Sequence, residues 1–248
     1  MLALITGASS GIGEAIAKRF IQEKHQVILL ARRKDRLEKL QSLLGSNCLE
    51  IIDCDLRNIQ EVQARLQSFL SKIDVLINNA GLALGLEPFY KSPKQNYQEM
   101  IETNILALVE LTHFILPSMI ANQKGHIINI GSIAGNYPYP GSNIYGATKA
   151  FIKQFSLNLR ADLIDQNIRI TNIEPSLVGG SEFSLVRFNG DEQKAKEVYA
   201  NTTPLMPEDI AESVFWCASL PSHININRLE LMPTTQAFSP LRVIKNPT

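Results

Sequence analysis

The sequence predicts an α/β fold, a single-domain, doubly wound parallel sheet with helices on both faces. Short apolar runs, which suit strands buried on both sides, alternate with longer amphipathic runs of helical period along the 248 residues. The first such strand ends in a glycine turn that opens a helix, Gly7-Ala-Ser-Ser-Gly-Ile-Gly13. Each further stretch that stands out for its polar residues follows a strand, at the carboxyl end where ligands sit in such sheets.

A hydrophobic content of 45% suffices for one large core. Lys plus Arg and Asp plus Glu number 24 each, so no overall field favours nucleic acid or an anionic membrane, and a small-molecule partner is expected. Cys48, Cys54 and Cys217 are odd in number and lack metal-ligand spacing, which reads as buried thiols in a reducing compartment. Met1 leads directly into an apolar strand with no basic leader, and no apolar run approaches the ~18 residues of a membrane span. The expectation is a cytoplasmic protein without a metal.

Taken in order, Leu2 to Thr6 is the first strand, and the helix after Gly13 carries Ala15, Ile16, Phe20 and Ile21 on one side. The glycines let the backbone approach a pyrophosphate, while Ser9, Ser10 and the first helical N–H groups offer donors at a positive helix end. Val27 to Ala31 is the second strand. An NAD site usually puts a carboxylate near this strand end, whereas here Ala31 precedes Arg32 and Arg33, which suit a 2′-phosphate. A helix from Lys34 to Leu44 and a strand from Leu49 to Ile52 lead to Asp53 and Asp55. With no third ligand nearby, Asp55 reads as an adenine contact or a cap for the helix from Asn58.

Asp74 to Ile77 is the fourth strand, and it runs into Asn78-Asn79-Ala80-Gly81, whose amides can tie neighbouring strands together. A long helix from Gln98 to Met119 contains Asn104 in an otherwise apolar stretch, where a buried amide must be hydrogen-bonded. Gly125 to Ile130 is a strand, followed by a loop rich in Gly, Pro and Asn and by a helix from Ser142 with Phe151, Phe155, Leu159 and Leu163 at helical spacing. Another strand, Ile168 to Ile173, ends in Glu174-Pro175. Residues 176 to 206 mix glycines, Arg187 and a charged helical run from Asp191 to Val198, the pattern of a mobile lid. A helix from Pro207 through Trp216, a strand from Asn225 to Met232 and a proline-containing tail over 233–248 complete the chain.

The chemistry concentrates between Asn129 and Lys149. Tyr145 and Lys149 share one helix face, a turn apart, with Ser132 at the end of the preceding strand. A phenol has a reference pKa of about 10, and a cation about 4 Å away can depress it by roughly 3 units at an effective dielectric near 20. The spacing alone proves little, because Tyr90 and Lys94 repeat it. Pro93 falls inside that second pair, so those two residues need not share a face.

Together, Thr6 to Gly13, Asn78 to Gly81, Asn104, Ser132, Tyr145 and Lys149 resemble the short-chain dehydrogenase/reductase family over the whole chain. Segments 78–89, 145–163 and 174–188 look most like its bacterial NADP-dependent 3-hydroxy acid dehydrogenases, which act on serine and allo-threonine and reduce malonic semialdehyde. The resemblance implies a Rossmann-type sheet, NADP and a homotetramer. It also implies that Ser132 holds the substrate oxygen and Tyr145 exchanges its proton. Lys149 would depress the tyrosine and hold the nicotinamide ribose, and Asn104 would support a relay water. Implied cofactor contacts are Gly7, Ser9, Ser10, Gly11, Ile12, Gly13, Arg32, Arg33, Asp55, Leu56, Asn79, Ala80, Gly81, Tyr145, Lys149, Pro175, Leu177, Val178 and Ser181.

The family usually has Gly after Pro175, where this chain has Ser176, so Ser181 stands for the hydroxyl that meets the cofactor amide. Arg187 is a candidate partner for a substrate carboxylate, along with Ser132 and Tyr145 on the substrate. A reductase of 3-oxoacyl groups on a carrier protein, and a non-catalytic NADP-sensing module, are the alternative readings.

Overall fold

A computed structural model describes residues 1–237. Seven strands form one sheet, all parallel, in the order β3-β2-β1-β4-β5-β6-β7: β1 Leu2–Thr6, β2 Gln26–Ala31, β3 Cys48–Asp53, β4 Val75–Asn78, β5 Gly125–Ile130, β6 Ile168–Pro175 and β7 Arg228–Leu231. The chain runs outward from β1 through β2 to β3, then returns across β1 to start β4. That reversal leaves a crevice beyond the carboxyl ends of β1 and β4.

The central strands β1, β2 and β4 are largely apolar because both faces are covered. In β1, Ala3 and Ile5 join one core with Ile16 and Phe20 of α1 (Gly11–Gln22), and with Leu37 and Leu40 of α2 (Lys34–Leu44). Leu2 and Leu4 turn to the other face. There they meet Val62 and Leu66 of α3 (Ile59–Leu66) and the long helical run made of α4 (Lys94–Ile101), a π-turn at Glu102–Leu106 and α5 (Ala107–Ala121). This run starts a turn earlier than the expected Gln98, since Pro93 fits just before a helix. By length and composition alone the 28 residues Lys94–Ala121 could cross a membrane; Leu111, Ile115 and Met119 pack under the sheet.

α6 (Asn143–Asp162) follows β5 on that same side. Between β6 and the final helix the chain forms two short helices, α7 (Phe183–Arg187) and α8 (Glu192–Glu197). The ends of segment 176–206 are zipped together: the Gly179 N–H donates to the Leu205 carbonyl (2.8 Å) and the Leu205 N–H to the Leu177 carbonyl (2.9 Å). α9 (Pro207–Ser219) opens with Pro207, which has no N–H to lose, and with the Asp209 carboxylate accepting from the Met206 N–H at 2.7 Å. It returns to α1, where Ile210, Val214 and Cys217 close the first core.

Several expected elements are shifted. β7 is shorter than Asn225 to Met232, because Asn225 uses its side chain on the β6 backbone, accepting from the Ile170 N–H at 2.7 Å and donating to its carbonyl at 3.0 Å. β4 begins after Asp74, whose carboxylate instead accepts from the Leu2 N–H (2.9 Å). The three cysteines are free thiols, and burial pushes each up to about 11. Of the tail over 233–248, positions 238–248 lie outside the described residues.

Candidate active site

The glycine turn after β1 is shaped by its neighbours. Gly7 has φ +66° and Gly11 φ +55°, which favour glycine. A Cβ on Gly13 would meet the Gly7 carbonyl, and one on Gly11 would stand 2.9 Å from the Ser181 Cβ. The backbone is thus bare where α1 begins, and Ser10 makes no side-chain cap to its first turn.

Thr6 ties this turn to the end of β4. Its hydroxyl accepts from the N–H groups of Asn79 (3.0 Å) and Ala80 (2.9 Å), while the Asn79 amide donates to the carbonyls of Thr6 (2.9 Å) and Gly7 (3.3 Å). Asn78 instead bonds side chains, Thr112 Oγ1 (3.0 Å) and Asn129 Oδ1 (2.9 Å). Gly81 lies against Asn104 and Lys149, with room for a Cβ only 3.6 Å from the lysine Nζ.

Asn104 sits in the π-turn and its amide makes three hydrogen bonds. It donates to the Leu82 carbonyl (2.9 Å) and Thr148 Oγ1 (3.1 Å), and its oxygen accepts from the Leu82 N–H (2.9 Å). The side chain therefore braces the loop after β4 against α6.

Ser132 directly follows the β5–Gly131 strand end, which is fixed by the Gly131 N–H donating to the Ile173 carbonyl (2.7 Å). The Ser132 Oγ accepts from the Ala134 N–H (3.1 Å) and acts on the Tyr145 phenol to lower its pKa. Tyr145 and Lys149 are both buried in the first half of α6. Burial pushes the Tyr145 phenol up to about 12, opposed by the Ser132 hydrogen bond and by the Arg187 cation. Burial likewise lowers Lys149 to about 8. Its Nζ donates to the Ile130 carbonyl (2.7 Å) and lies 5.9 Å from the Tyr145 ring centre. Tyr90 and Lys94 fall in different elements, with Tyr90 exposed.

Segment 176–206 covers this pair. Phe183 packs on the Tyr145 ring (5.7 Å between centres), and the Arg187 guanidinium lies 5.4 Å from that ring centre. Arg187 also donates to the Tyr139 hydroxyl (3.0 Å) and the Gly85 carbonyl (3.3 Å).

At the other end of the crevice, Arg33 donates to Ser9 Oγ, Ser10 Oγ (2.7 Å) and Glu182 (2.6 Å). Arg32 is exposed near Asp55. Asp55 caps no helix: its carboxylate accepts from the Arg57 N–H (3.0 Å) and guanidinium (2.7 Å), which holds it below its usual range. Asp53 pairs with Arg65 (3.5 Å) and Lys34 (4.0 Å). Ile12, Leu56, Pro175, Leu177 and Val178 line the same carboxyl side of the sheet by position. The Ser176 hydroxyl is buried with no partner among the described residues.

The profile of the short chain dehydrogenase family matches residues 1–186. The chain belongs to this family. It is similar to the NADP-dependent 3-hydroxy acid dehydrogenase YdfG of Salmonella typhi, 54% identical over 98% of this chain and 99% of that protein. It is also similar to the serine 3-dehydrogenase of Agrobacterium fabrum, 44% identical over 98% and 97%. Among solved structures, the closed form of a serine dehydrogenase complexed with NADP+ superposes with a TM-score of 0.94 at 50% identity, covering 99% of this chain and all of that one. Serine dehydrogenase from Escherichia coli gives 0.85 at 47% identity, over 96% and 100%.

Tyr139, Phe183, Glu182 and Arg36 escaped the sequence reading. Arg36 lies a helical turn beyond Arg33 and could have been found by that spacing. Glu182 could not, since nothing local links it to arginines nearly 150 positions earlier.

Proposed function

We propose that this dehydrogenase interconverts a short 3-hydroxy acid, of the serine, allo-threonine or 3-hydroxypropionate type, with its 3-oxo acid or semialdehyde, using NADP. The observation that carries the reading is the convergence of Ser132 and Arg187 on Tyr145. A substrate with a hydroxyl and a carboxylate two carbons apart needs a proton-exchanging group and a cation side by side. The names of the relatives point to the same class.

The cofactor fits the bare glycine turn and the guanidinium groups that follow β2. Ser9, Ser10, Gly11, Ile12 and Gly13 would hold its pyrophosphate, and Arg32 and Arg33 its 2′-phosphate. Asn79 to Gly81 and Pro175 to Ser181 would flank the adenosine and nicotinamide ends. When bound, the nicotinamide supplies or takes the hydride.

In the oxidative direction the Tyr145 phenolate removes the hydroxyl proton of the substrate. Ser132, whose oxygen is already fixed by the Ala134 N–H, donates to the same substrate oxygen. Lys149, anchored on Ile130, retains two N–H bonds for a ribose hydroxyl. Arg187 pairs with the carboxylate and favours the phenolate. Phe183 and the rest of segment 176–206 act as a lid that keeps water from the phenol. The protein works in the cytoplasm as a homotetramer, a reading supported by its free thiols and by exposed Leu106 and Phe151.

Following NADPH absorbance with malonic semialdehyde, and NADP+ reduction with serine, tests this. Tyr145→Phe should lower turnover by a factor on the order of 10³ while NADPH still binds. Turnover only on carrier-linked acyl groups, or undiminished turnover by the variant, would overturn the substrate class or the role of the phenol respectively.

A further inference from the structure

We propose that Glu182 is the counter-ion which the 2′-phosphate of NADP displaces from Arg33 and Arg36, making it both a determinant of cofactor selectivity and the latch of segment 176–206. The inference rests on the assignment of Arg33 to that phosphate.

One carboxylate grips two guanidinium groups. Glu182 Oε2 accepts from Arg33 Nη1 (2.6 Å) and Arg36 Nη1 (2.9 Å), and Oε1 accepts from Arg36 Nη2 (2.9 Å). The rest of the Arg33 fork is taken by the glycine turn, with Nε on Ser9 Oγ (3.2 Å) and Nη2 on Ser9 Oγ (3.1 Å) and Ser10 Oγ (2.7 Å). The donors suited to a planar anion are thus already aimed at one, and the arginines hold the Glu182 carboxyl down at about 2.

A phosphate brings nearly two charges and three acceptor oxygens to the same donors, and repels a carboxylate beside it. Phosphate and Glu182 therefore compete for this pair. The exchange reaches the active site through adjacent residues. Ser181 lies against Gly11 and Phe183 against the Tyr145 ring, so Glu182 joins the glycine turn to the cover of the phenol. Arg36 becomes a phosphate ligand once Glu182 leaves, a role not apparent from Arg32 and Arg33 alone.

The test is titration of NADPH and NADH, by their own fluorescence, onto the wild-type protein and Glu182→Gln, a change that keeps size but removes the charge and one accepting oxygen. The NADPH preference over NADH should rise about fivefold in the variant, the size of effect of one partly exposed ion pair. A preference that is unchanged or reduced overturns the competition. Limited proteolysis of the cofactor-free protein should cut the variant several times faster within residues 183–202, and equal rates would remove the latch. Arg33→Ala separates the two assignments. If it binds NADPH as tightly as wild type, the phosphate assignment falls, whereas weakened binding there with no gain in Glu182→Gln removes Glu182 alone.

Discussion

Tyr145 and Lys149 share a helix face without a direct bond, and the cation facing the phenol comes from a different element. Lys149 is anchored on the Ile130 carbonyl, while Arg187 reaches over the ring. Because a cation favours the phenolate, Arg187 lowers the pH at which Tyr145 can serve as a base. Removing it must do the opposite. Arg187→Ala should move the acidic limb of the pH profile for hydroxy acid oxidation to higher pH and raise KM by about tenfold or more, the loss of a charge-assisted bond. Arg187→Lys should restore much of the limb, since the charge returns, but not the KM, since the fork does not. A profile that stays in place in the alanine variant would remove Arg187 from the proton chemistry.

At the scale of elements, α1 fits closely against the strand ends. Gly13 leaves no room for a methyl group between the Gly7 carbonyl and the Asn79 amide, both fixed by the bonds around Thr6. Gly13→Ala should cost about 1–3 kcal/mol in a denaturation experiment and weaken NADPH binding as the turn shifts. Unaltered stability would mean the turn yields freely. This element was legible in the sequence because local spacing determines it, as it does β5 and α2, whose observed bounds coincide with the apolar and amphipathic runs. What depends on distant partners was not. Asn104 was expected to be hydrogen-bonded, but Leu82 and Thr148 could not be named as its partners. Glu182 carried no local signal at all.

For the whole molecule, apolar side chains are left outside the two sheet-covering cores. Leu106 is 52% exposed on the π-turn, and Phe151 is 39% exposed on α6, stacked on Phe155 at 5.9 Å. If they lie between subunits, Phe151→Glu should lower the mass in sedimentation from tetramer to a smaller species while leaving the fold intact. A wild-type protein that sediments as a monomer would instead refute the assembly. The π-turn has a consequence for how this chain tolerates change. Each helical residue advances the direction of a side chain by about 100°, so a widened turn resets the angular phase of everything after it. Before the turn Met100 points into the small cluster around Tyr145, and after it Leu111, Ile115 and Met119 point beneath the sheet. Losing a single residue between them would leave a regular helix able to satisfy only one of those directions. Along this stretch substitutions can be graded, but a change in length is all or nothing.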